Sequence, residues 1–107
     1  MSLKRLAQLK SLGAALDLSK AMLEAARDQA WSDLEGMAQR RAALLREAFK
    51  APFSANEALE VARIIKALLQ ANNELLSESQ RSRDKVAEER RLHARGRKAS
   101  KAYMGVA

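Results

Sequence analysis

Apolar residues return at alternating spacings of three and four along three separate stretches of the chain. That rhythm confines the fold to helices. In the first stretch Leu9, Leu12, Leu16, Ser19, Leu23, Ala26 and Ala30 fall on one helical stripe, widened by Leu18 and Met22. The second carries Leu34, Met37, Ala38, Leu44, Leu45, Ala48 and Phe49. In the third, Leu59, Val61, Ala62, Ile64, Ile65, Leu68, Leu69, Asn72, Leu75 and Leu76 spread over a broader face. Composition points the same way. Hydrophobic residues make up 48% of 107, most of them Ala and Leu, with two Phe, one Trp, one Tyr and one Pro, a balance that favours long helices over sheets.

Local signals set the expected boundaries. Ser32 and Glu35 have the spacing of a capping box, in which a hydroxyl accepts from an orphan backbone N–H and a carboxylate reaches back. The first helix is therefore expected to stop near Gln29 and the second to start near Asp33, with Trp31 at the joint. Gly13 costs about 1 kcal/mol relative to Ala inside a helix, so the first dozen residues are expected to fray or hinge. Pro52 disfavours helical geometry at Ala51 and should end the second helix in a tight turn. Ser54 and Glu57 form a second capping box before the third helix. Short connections make the three helices successive antiparallel neighbours.

After Leu76 the only large aliphatic residues are Val86 and Leu92, too few for a core stripe. Glu78 with Arg81, Glu88 with Arg91, and Lys85 with Glu89 have the spacing of surface ion pairs on a solvated helix. The third helix should thus run from Glu57 to about Leu92, on the order of 50 Å at roughly 1.5 Å per residue, with a break at Gly96. The expected fold is all-α, an antiparallel bundle of three helices with a long third helix and a short C-terminal segment. Residues 1–95 would form the bundle domain and 96–107 a docking or regulatory tail.

The formal net charge of +7 invites a nucleic-acid partner, and its distribution qualifies that reading. Residues 1–76 hold 11 Lys and Arg against 9 Asp and Glu, while residues 77–107 hold 9 against 4. The excess sits in the last third, without a recognition-helix motif or a cluster of aromatics for base stacking. A solubilising charged face accounts for it better than phosphate binding, and a basic nucleic-acid-binding helix is kept as the alternative function. The chemical inventory is poor. His93 is the only histidine and there is no cysteine. No phosphate loop, metal-ligand spacing or nucleophile elbow is present, so no catalytic residue, metal or cofactor is assigned and an enzyme is not expected. No stretch approaches 18 uncharged apolar residues, and no membrane span is expected.

Paired apolar residues (Leu44 with Leu45, Ile64 with Ile65, Leu68 with Leu69, Leu75 with Leu76) point about 100° apart and widen the faces of the second and third helices. A broad core explains them. So does a groove between those two helices that accepts an amphipathic helix from another protein.

The order of the pieces resembles the FliT family of flagellar export chaperones. The stretch LDLSKAMLEAARDQAWSDLEGMAQRRAALLREAF is similar to that family's first two helices, IIKALLQANNELLSESQRSRDKV to its third, and ARGRKASKAY to its closing Gly-Arg-Lys then Tyr signature. The resemblance implies a cytoplasmic, non-enzymatic chaperone for type III protein export. Such a chaperone binds the C-terminal region of the filament-cap protein FliD and prevents its premature assembly. Export-apparatus components and the FlhDC regulator are further implied partners. Carried over by position, the client groove would draw on Leu45, Phe49, Ile65, Leu68, Leu69 and Leu76. The tail around Gly96, Arg97, Lys98 and Tyr103 would cover it and limit access.

Overall fold

The computed structural model describes residues 3 to 106, with side chains from 3 to 101. It contains α1 (Leu3–Arg27), α2 (Trp31–Ala48) and α3 (Ala58–Val106), with a single 3-10 turn at Ala55–Glu57 before α3. The described chain is all-α, and its three helices pack against one another as an elongated body of 81 × 22 × 18 Å.

The direction of each helix follows from contacts at its ends. Gln8 on α1 donates to the carbonyl of Ala48 at the end of α2, so these helices are antiparallel. Arg5 pairs with Glu57 at 3.8 Å and Arg27 with Glu74 at 3.6 Å, so α1 and α3 run the same way. α1 is the helix on which both others pack. Among the described residues α2 and α3 come together through the side chains around Ala48 and Val61 rather than backbone to backbone, which leaves a groove between them.

Serving two neighbours gives α1 a wide buried arc. Gln8, Leu12, Ala15, Ser19, Met22 and Ala26 are buried at alternating spacings of four and three, with Leu23 beside them. The stripe expected from the aliphatic residues is displaced by one position at Leu9 and Leu16, which are only half-buried. Small Ala15, Ser19 and Ala26 let the neighbouring backbones approach, and Leu12, Ala48 and Val61 join the three helices into one cluster. Truncating Leu12 to Ala would cost about 2–5 kcal/mol in lost burial and cavity formation.

The α1–α2 joint closes by backbone hydrogen bonds. Ala30 N–H donates to Ala25 O at 2.8 Å and Gln29 N–H to Ala26 O at 3.1 Å, with Gln29 at φ 64°. This is a Schellman stop with glutamine in the left-handed position that glycine ordinarily fills. The N-cap of α2 is Ala30, which makes no side-chain cap bond. Ser32 therefore lies inside the helix, and the expected capping box does not form. At α3, Ser54 makes no side-chain cap bond either, because Glu57 turns inward to Arg5. In the intervening turn Phe49 and Phe53 meet edge to face, with centroids 5.9 Å apart.

α3 departs most from expectation. It continues through Gly96 to Val106 as one 49-residue helix, about 73 Å long at 1.5 Å per residue. α1 likewise passes Gly13 without a hinge. A helical glycine costs about 1 kcal/mol, and neither residue has a left-handed φ or a following proline to convert that cost into a break. Ion pairs of Arg81 with Glu78 and Arg91 with Glu88 support the exposed part, as their spacing indicated.

Candidate functional site

The gap between α2 and α3 is an apolar groove of about 350 Å³. α2 and its C-cap supply Arg41, Leu45 and Phe49, α3 supplies Ile65, Leu68, Leu69 and Asn72, and Ser19 of α1 forms its floor. The groove exists because α1 holds the other two helices apart. Its small floor residue then leaves room that a larger side chain would fill.

Five of the six residues singled out from the sequence line this groove: Leu45, Phe49, Ile65, Leu68 and Leu69. They differ in how much they are already used. Leu45, Ile65 and Leu68 pack partly against the core cluster. Phe49 is 49% exposed and Leu69 60%, so these two present the larger unspent apolar surface. Leu76 does not line the groove. It lies two turns beyond Leu69 on the same face of α3, 59% exposed. Gly96, Arg97 and Lys98 sit on the projecting part of α3, about 42 Å along the helix from Leu68 to Gly96. The backbone at Tyr103 is helical, and its side chain lies outside the described residues.

Three polar members of the groove were not among the site residues expected from the sequence. Arg41 donates to Ser19 Oγ at 3.3 Å across the floor, and Asn72 stands on the α3 wall. Ser19 stood in the apolar stripe of α1, and a hydroxyl at a core position was the available signal. Nothing in the local sequence marks Arg41. Opposite Ser79, Arg83 and Val86 of α3, Trp31 forms a second recess of about 390 Å³. A third depression, about 680 Å³, lies between α1 and α2 around Leu18 and Leu44, rimmed by Asp17, Arg40 and Glu47. Leu18 and Leu44 are both half-buried, so no single large side chain there is as open as Phe49 or Leu69.

The groove's chemistry is that of a receptor. Apolar walls with a few convergent polar groups suit an amphipathic helix that buries its apolar face and meets Arg41 or Asn72 with a polar one. Among the described residues no group of His, Cys, Asp or Glu is placed to hold a metal ion, and no helix is long and apolar enough to cross a membrane. The family model described as Flagellar protein FliT matches residues 9–105. No curated protein and no solved structure matches the chain.

Proposed function

The chain belongs to the FliT family of flagellar export chaperones, and from that premise we propose that it captures the C-terminal region of the filament-cap protein FliD in the α2–α3 groove. The observation that carries this reading is the pair Phe49 and Leu69, large side chains left about half open on facing walls of one groove. Contiguous apolar surface of this kind marks a place for a partner. Capture in the cytoplasm would hide the client's self-assembly surface, and the exposed charge of the chaperone would keep the complex in solution until it reaches the type III export gate. Export-apparatus components and FlhDC belong to the same proposal as additional partners.

The proposed regulatory role of residues 96–107 meets a geometric condition. With α3 unbroken, residues 96–106 lie on its part that runs on beyond the groove. A cover over the same molecule's groove would require α3 to bend back on itself.

Calorimetric titration of the FliD C-terminal segment into the full chain tests the central proposal. Saturable binding with a negative heat-capacity change is expected from apolar burial. Absence of binding contradicts it. Truncation after Arg95 should leave capture intact or stronger, whereas loss of binding would make Tyr103 and its neighbours part of the site.

A further inference from the structure

The α3 wall of the groove does not end with the groove. Ile65, Leu69, Asn72, Leu76 and Ser79 recur at spacings of four and three, and the same alternation continues through Arg83, Val86, Arg90, His93 and Arg97. Residues at this spacing form one stripe that drifts by about 20° per heptad around a straight helix. The face is apolar beside α2 and turns basic where α3 leaves the bundle, next to Trp31. Arg83, Arg90 and Arg97 stand seven apart, about 10.5 Å for each interval. Among the described residues no carboxylate lies within ion-pair distance of these three. Arg83 donates to Ser79 Oγ at 3.2 Å, which holds it along the stripe. On the other sides of the same stretch Arg81 and Arg91 are paired with Glu78 and Glu88, and Glu89 borders the stripe near Val86 and His93.

We infer that this arm is a second binding element, continuous with the groove, that takes an acidic amphipathic helix with carboxylates at heptad spacing. The inference rests on the proposed groove only for its continuity, since the arm's charge pattern stands by itself. Heptad-spaced charge on one helix recognises complementary charge on another, and Trp31 with Val86 and Ala87 gives that helix an apolar contact at the bundle end. A second copy of the chain fits poorly, because two such arms would set like charges opposite one another. Duplex nucleic acid fits less well than a helix, because its phosphates would flank the arm and meet Asp84, Glu88 and Glu89 on the remaining faces.

The test uses the full chain and a synthetic helical peptide with Glu at heptad spacing and Leu or Ala between. Its Lys counterpart and a short duplex DNA serve as comparison probes. Binding is read from the emission of Trp31, the chain's single tryptophan, and from the anisotropy of labelled probes. The acidic peptide should bind, shift the Trp31 emission to the blue and weaken steeply with salt, while the Lys peptide should not bind. The R83Q/R90Q/R97Q variant should lose about tenfold or more in affinity for the acidic peptide. R81Q/K85Q/R95Q removes the same charge from other faces and should lose less than threefold. Circular dichroism checks that both variants keep their helicity. Titrating the FliD C-terminal segment into R83Q/R90Q/R97Q in parallel separates failure of the arm from failure of the groove, because groove capture should survive that change. Equal losses in the two charge variants, no binding of the acidic peptide, or tighter binding of the DNA would each overturn the inference.

Discussion

Gln8 Nε2 donates to two carbonyls at once, Ala48 O at 2.9 Å and Ala51 O at 2.8 Å. Ala48 ends α2, so its carbonyl is one of the acceptors that a helix leaves without an internal partner. A fully buried glutamine on α1 thereby ties down the end of α2 and the turn that leads to α3. Replacing Gln8 with Leu keeps much of the volume and strands a buried carbonyl. A loss of about 1–3 kcal/mol is expected in urea unfolding. An unchanged midpoint would mean that water replaces the amide.

The stop of α1 should be improvable. Gln29 holds φ 64°, a conformation that costs a residue with a Cβ about 1–2 kcal/mol and glycine almost nothing. Gln29→Gly is expected to stabilise the chain by about 1 kcal/mol, seen as a higher unfolding midpoint at unchanged slope. Gln29→Val should lower it.

The helical glycines predict gains of the opposite chemistry. A Cβ built at Gly36 or Gly96 meets nothing within 4 Å. Ala at either position should stabilise its helix by about 0.5–1 kcal/mol. Hydrogen exchange around residues 94–98 should slow in Gly96→Ala, and no slowing would show that this part of α3 is held by something other than its own propensity.

Glu57 is buried and faces Arg5 through Oε1, while its Oε2 has no hydrogen-bond partner. Arg5→Met leaves that carboxylate without its countercharge. A fully buried pair broken in this way costs about 3–5 kcal/mol. With the Arg5 side chain 45% exposed, solvent screening reduces the expectation to about 1–2 kcal/mol. A Glu57→Gln change on the Arg5→Met background should recover part of the loss, and no recovery would place the cost elsewhere.

Much of this architecture could be read from residue spacing, because amphipathic periodicity reports directly on which face a helix buries. The three stripes, the turn at Pro52 and the ion pairs at Glu78 and Glu88 all follow from local rules. What escaped reading depended on tertiary choice. Ser32 lost its expected capping role because α2 already starts at Trp31, two residues after the Schellman stop at Gln29 and two ahead of the expected Asp33. Ser54 lost its capping box because Glu57 found a better partner in Arg5. Gly96 did not break α3 because a single helical glycine costs less than ending a helix without a stop signal. The groove walls were legible as paired apolar residues, whereas its polar floor was not, since the Arg41–Ser19 contact joins positions 22 residues apart.

The most direct test of the central claim compares two apolar faces of the same molecule. The affinity of the FliD C-terminal segment is measured for Leu69→Ser, on the α2–α3 groove, and for Leu18→Ser, on the α1–α2 depression, with helicity checked for both. Capture in the α2–α3 groove predicts a loss of about tenfold or more, roughly 1.4 kcal/mol, for Leu69→Ser and less than about twofold for Leu18→Ser. Full affinity in a folded Leu69→Ser chain, or a larger loss from Leu18→Ser, would contradict it.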